Sequence, residues 1–353
     1  MAGMQDGAAF PFGRPRRLRR GPVLRDALAD VTLRAADLIL PLFVTDGDTP
    51  RPVASMPGVS QLPVPQAAAL VAELAGRGLR QFIFFGVTPD DKKDAAGSYA
   101  WAPQAPVNRA LAAVRDAGLS ADVVTYADLC FCEYTDHGHC GVLRAPAPVQ
   151  PRVERSETRA SPPFPEVDND RTLENLGRAA VAQARAGADV VAPSGMMDGQ
   201  VGAIRAALDA AGFPHVAILA YSVKYASALY GPFREAGAGG MKFGDRRGYQ
   251  MDYRRRREWR TELAADLAQG ADMVMVKPAA TYLDIVYQVR QACAVPLAAY
   301  HVSGEYAMLQ AAAQRGWIDL QQATLETLYA IKRAGADLII TYSAPQVLDA
   351  LGA

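Results

Sequence analysis

Three times in this chain the tripeptide Gly-Ala-Asp ends a helical-looking segment and opens an apolar run, at 187–189, 270–272 and 335–337. Glycine suits the left-handed position just past a helix end, so each tripeptide marks a helix-to-strand junction. The repeat belongs to a longer alternation. Eight apolar runs read as short strands: LILPLFV from Leu38, QFIFFGV from Gln81, DVVTYADLC from Asp122, ADVVAPSGM from Ala188, VAILAYSVK from Val216, ADMVMVKP from Ala271, PLAAYHVSG from Pro296 and ADLIITYSAP from Ala336. Between most of them lie segments with helical spacing, such as RTLENLGRAAVAQARAG and QQATLETLYAIKRAG. Continuous apolar strands alternating with helices imply a parallel sheet covered on both faces. Eight such units predict an α/β fold, a (β/α)8 TIM barrel. The runner-up, a doubly wound sheet, lacks a GxGxxG after its first strand.

A barrel carries its chemistry at the C-terminal ends of its strands. The polar residues there are Asp128, Cys130, Ser194, Lys224, Lys277, Ser303 and Tyr342. The two lysines end buried-looking runs, and Lys277 is followed by a proline. A lysine can capture a ketone or aldehyde as a Schiff base only while its amine is neutral. Burial and a second nearby cation both lower its pKa, so two lysines on neighbouring strand ends would depress each other. The plainer alternative pairs each with an acidic neighbour that orients a loop.

Of four cysteines, three fall in DLCFCEYTDHGHCG, as Cys130, Cys132 and Cys140. Cys130 and Cys132 would point to one side of an extended strand, and the loop carrying Cys140 could fold back to complete a three-thiolate site. Three protein ligands leave a fourth position open, the catalytic form of a zinc site. His137 and His139 are further candidate ligands or proton donors. Three packed thiols and a redox pair are the alternatives. Cys293 reads as a core residue.

The long stretch after Lys224 is rich in glycine and arginine and overhangs the strand ends, so 225–257 reads as a lid. Its Arg234, Lys242, Arg246 and Arg247 would suit an acidic substrate. Arg254 to Arg257 read as a solvated helix start or an interface. Residues 1–32 form a basic arm and 33–353 the catalytic barrel. The segment 144–168, rich in proline, serine and charge, reads as an exposed loop. The 37 basic and 37 acidic residues balance, which argues against nucleic acid as a partner. No apolar run reaches membrane-spanning length, and the N-terminus lacks the apolar core of a signal peptide. The expected setting is cytoplasmic.

The motifs KDAAGSYAW, ADLCFCEYTDHGHCG, APSGMMDGQVGAIR, YSVKYASALYGPFREA, GDRRGYQMD, GADMVMVKPAATYLDIV and VSGEYAM, in that order, make the chain resemble porphobilinogen synthases, also called 5-aminolevulinate dehydratases. The resemblance implies a (β/α)8 barrel whose arm wraps a neighbouring subunit in a homo-octamer. It implies condensation of two 5-aminolevulinate molecules into porphobilinogen with loss of two waters, in tetrapyrrole biosynthesis. By that resemblance Lys277 and Lys224 form the Schiff bases at the propionate-side and acetate-side sites. Ser303 and Tyr342 would hold the first substrate's carboxylate, and Arg234, Arg246 and Gln250 the second's. Tyr230 and Phe233 would line the pocket from the lid, with Asp128 and Ser194 beside the lysines. The cysteines match the zinc-dependent branch, and Glu262 matches a position that ligates an activating, allosteric magnesium. Gly195 and His301 depart from the residues common at their positions, and the loop near 144–168 is longer than usual. A class I aldolase, with one Schiff-base lysine and no zinc, and a catalytically silent zinc-binding barrel are the competing readings.

Overall fold

The computed structural model describes residues 12–144 and 166–352. Its strands, in chain order, are β1 Leu38–Thr45, β2 Arg51–Pro52, β3 Ser60–Pro63, β4 Gln81–Val87, β5 Val124–Leu129, β6 Val190–Pro193, β7 Ala217–Lys224, β8 Met273–Lys277, β9 Leu297–His301 and β10 Leu338–Thr341. β1 and β4 to β10 are the eight expected runs. They pair in parallel in chain order, and β10 closes on β1 with Ile339 opposite Leu38. The closed (β/α)8 barrel is thus the fold. The short strands β2 and β3 were not anticipated. They form a small antiparallel ladder at the edge of β1, and neither carries an apolar run.

Both strand faces are apolar because both are buried. One set, including Ile39, Phe43, Ile83, Phe85, Tyr126, Tyr221, Met275, Tyr300 and Ile340, fills the barrel interior. The alternate set, including Leu38, Phe82, Phe84, Val191, Ile218, Val274 and Val276, packs under the helices.

The repeated tripeptide has a structural role beyond its glycine. Gly187, Gly270 and Gly335 take φ of 111°, 98° and 114° at the helix ends. Each following aspartate then reaches the preceding strand of the barrel. Asp189 accepts from the Thr125 N–H at 2.7 Å, Asp272 from Ile218 at 2.8 Å and Asp337 from Leu297 at 2.8 Å. Three strands are so tied at the barrel's N-terminal end, away from the chemistry.

Of the expected arm, residues 12–32 are described. They include the helix Pro22–Ala27, which buries no side chain. Within the expected loop, 145–165 lie outside the described residues. Among the described residues no helix is long and apolar enough to cross a membrane.

Candidate active site

β7 and β8 lie side by side with Lys224 opposite Lys277. Along β8, Met275 faces the interior, and simple alternation turns Lys277 the same way. Along β7 alternation would fail. Leu219 and Tyr221 face inward, so an even-numbered Lys224 should face out. A register shift between Ala220 and Val223 corrects this. One extra residue turns Val223 toward the helices and Lys224 toward the interior, as a bulge does. Both ammonium positions then share the Tyr221 ring, at 5.5 Å from Lys224 Nζ and 5.2 Å from Lys277 Nζ.

Lys277 Nζ also lies 4.1 Å from the Tyr300 ring centre, 5.2 Å from Tyr230 and 5.1 Å from Phe233. Burial, and then the charge of Lys224, bring its amine down to about 7. Asp128 faces the interior with Tyr126. Burial raises it to about 6 against the pull of both lysines. Ser194 Oγ donates to Asp128 Oδ2 at 3.3 Å, and Lys224 Nζ donates to the Ser194 carbonyl. The structure therefore brings together two lysines, a carboxyl group near its protonation midpoint and a serine.

The cysteines converge, but not by strand alternation. β5 ends at Leu129, so Cys130 and Cys132 stand on the loop beyond it. Hydrogen bonds from the Tyr134 and Thr135 N–H groups to the Phe131 carbonyl, at 2.9 and 2.8 Å, curl that loop. The three sulfurs lie within 4.8 Å of one another, all buried. Hydrogen bonds from Cys130 and Cys132, with Arg246 nearby, hold the Cys140 thiol well below its usual range. Three converging sulfurs, all free of disulfides, are a donor set suited to a thiophilic divalent cation. The histidines serve elsewhere. His139 bonds the Tyr249 hydroxyl at 3.2 Å and the Phe243 carbonyl at 3.1 Å, and His137 accepts from the His139 N–H at 3.1 Å. They tie the cysteine loop to the lid.

The lid closes the barrel mouth. Tyr230 donates to the Tyr225 carbonyl at 2.7 Å, and Phe233 packs edge-on to Phe85 at 5.0 Å. The Phe233 N–H donates to Ser303 Oγ at 3.0 Å, and Ser303 donates to the Leu229 carbonyl at 3.2 Å. Tyr342 shares a hydrogen bond with Tyr300 at 3.0 Å. Arg246 donates to the Gly138 and Gly239 carbonyls at 3.0 and 3.1 Å. Arg234 Nε, Arg246 Nε and Gln250 Nε2 are buried donors with no acceptor. Such a set calls for an anion. Lys242 and Arg247 are exposed, and Arg254 to Arg257 are exposed before the helix Trp259–Ala268.

Glu262 is half-buried in a cavity of about 550 Å³ that Gln250, Asp198 and Glu258 also line. Burial and these like charges raise it to about 6. Among the described residues the cysteines alone form a group of three or more His, Cys, Asp or Glu placed to share a metal.

Residues 12–350 match the sequence profile described as delta-aminolevulinic acid dehydratase. The chain belongs to the delta-aminolevulinic acid dehydratase family. The family member from Streptomyces coelicolor is 51% identical over 344 residues, covering 97% of this chain and 98% of its own. That from Escherichia coli is 48% identical over 332 residues, covering 94% and 95%. The Toxoplasma gondii delta-aminolevulinic acid dehydratase, or porphobilinogen synthase, was solved in complex with the reaction product porphobilinogen. Its structure superposes with a TM-score of 0.87 at 39% identity, covering 98% of this chain and 94% of that one.

Two side chains of this candidate site escaped the sequence reading. Tyr221 and Tyr300 lie against Lys277. Their signal was present: each sits on a strand at an interior position two residues from another interior side chain.

Proposed function

We propose that this chain condenses two molecules of 5-aminolevulinate into porphobilinogen, with loss of two waters, through Schiff bases on Lys277 and Lys224. One observation carries the reading. Two buried lysines stand opposite each other across a strand pair, and the Lys277 amine is brought down to about 7. A structural lysine gains nothing from that arrangement, whereas an imine-forming one requires it. Kinship with dehydratases of matching length supports the choice of substrate.

The chemistry follows from the side chains. Neutral Lys277 adds its nitrogen to the ketone carbon of the first substrate. The carbonyl oxygen leaves as water, and a C=N bond replaces C=O. Lys224 captures the second ketone in the same way. Each protonated imine draws electrons from the neighbouring carbon and acidifies its C–H. Asp128 feels the charge of both lysines and is held at about 6, where a carboxyl group both takes and returns a proton at neutral pH. Ser303 and Tyr342 are assigned to the first substrate's carboxylate. For Ser303 this means exchanging the Leu229 carbonyl for the ligand. Arg234, Arg246 and Gln250, with donors unpaired, are assigned to the second. Tyr230 and Phe233 exclude the water that would otherwise hydrolyse the imines.

Cys130, Cys132 and Cys140 fit a zinc ion, which when bound would supply a concentrated positive charge beside the second substrate. For magnesium at Glu262 no comparable ligand group forms within one described chain, and no step uses it. The arm at 1–32 is assigned to assembly of a homo-oligomer, an octamer by family resemblance.

Reductive trapping tests the reading. The protein is incubated with 5-aminolevulinate and borohydride, digested, and its peptides weighed. An adduct on the Lys277 peptide is the expected result. Folded, metal-loaded protein with no adduct at either lysine would leave only a silent metal-binding barrel.

A further inference from the structure

Glu305 is the third residue of the helix Ser303–Gln314 and is 2% exposed. Its Oε2 accepts from the Val302 N–H at 2.8 Å, as a capping carboxylate does. A cap needs nothing more. Yet its Oε1 accepts from the Ala280 N–H at 2.8 Å and the Thr281 N–H at 3.3 Å, in the loop just past Lys277. One carboxylate therefore joins two loops from different strand ends. A buried carboxylate is costly, and burial pushes this one up to about 7 despite its bonds. Helix capping alone is achieved on other helices of this chain by half-exposed groups such as Asp168.

We propose that Glu305 is a positioning residue for the reaction, clipping the loop behind Lys277 to the helix start that carries Ser303. The clip sets the distance between the amine that forms the imine and the hydroxyl assigned to the same substrate's carboxylate. The Tyr230 hydroxyl, which donates to the Tyr225 carbonyl at 2.7 Å, also lies 3.2 Å from the Lys277 carbonyl. This assignment rests on the Schiff-base reading of Lys277.

Glu305→Gln tests it. Glutamine keeps the volume but has one acceptor oxygen, so its NH2 must face either the Val302 N–H or the Ala280 and Thr281 pair, donor against donor. The readout is the rate of borohydride-trapped adduct at Lys277 per folded molecule, with the folded fraction taken from circular dichroism. The clip predicts slowing by about tenfold or more, the order expected when a reacting group is misplaced. A purely structural role would lower the folded fraction and leave the rate per folded molecule unchanged, which would overturn the assignment. Should Glu305→Gln not fold, Glu305→Asp carries the same comparison, since its carboxylate is a methylene short of spanning both loops. The unaltered chain is the control that separates the two readings. No Lys277 adduct there removes the Schiff-base reading itself, whereas a trapped control with an unslowed variant removes only the clip.

Discussion

At the scale of single residues, the site depends on keeping one amine uncharged near neutrality. Lys277 is held at about 7 by burial first and by Lys224 second. Its amine is neutral above that value and an inert ammonium below it. Trapping of 5-aminolevulinate at Lys277 should therefore rise with pH through about 7, measured as initial adduct rate against pH. Lys277→Ala should abolish porphobilinogen formation while leaving the melting temperature close to that of the unaltered chain. Retained turnover would refute the mechanism. The arginines make a different prediction. Arg246 is buried and spends one nitrogen on two carbonyls while Nε stays unpaired. Arg246→Lys keeps the charge and loses the fork, so kcat/KM should fall about ten- to a hundredfold, measured by steady-state assay.

At the scale of elements, the loops beyond the strands do what the strands cannot. The cysteine loop gathers three sulfurs. Replacing Cys130, Cys132 and Cys140 with alanine should abolish bound zinc, read by metal analysis after dialysis, and most of the activity. The lid meets the helix Ser303–Gln314 at Gly304. A methyl group there would stand 2.6 Å from the Leu229 carbonyl oxygen and 2.8 Å from its Cα, both backbone atoms that cannot rotate away. Gly304→Ala should displace the turn Ala228–Tyr230, weaken the Ser303 to Leu229 bond and cost about 1–3 kcal/mol, measured by denaturant unfolding. The strands were legible from their apolar runs, and the helices from their spacing. The cysteine convergence was legible only as a cluster of ligands. The expected alternation was the wrong cause, because the strand stops one residue before Cys130.

At the scale of the whole molecule, the barrel seals titratable groups away from water. His301 is fully buried, its Nδ1 bonded to Thr341 Oγ1 at 3.0 Å and its Nε2 unpaired. Burial lowers it from the usual 6.5 to about 4. The unfolded chain therefore binds this proton first. The contribution is fully present above 6.5 and is lost as pH falls from 6.5 toward 4, on the order of 3 kcal/mol in all. His301→Gln removes that titration, so its unfolding free energy should fall less steeply over this window, read from denaturant midpoints at several pH values.

The sequence by itself determined the barrel, since eight buried strands alternating with helices have few other ways to bury both faces. It also determined the interior position of Asp128 and Lys277, both within their strands. Each follows an inward residue at a spacing of two, and that period is a property of the local backbone. Only the tertiary structure decided Lys224, because its inward turn depends on an extra residue accommodated between paired strands. The same holds for the three sulfurs, the unpaired lid donors and the Glu305 clip. Each depends on how irregular loops fold back or meet, and no local period encodes where one loop will meet another.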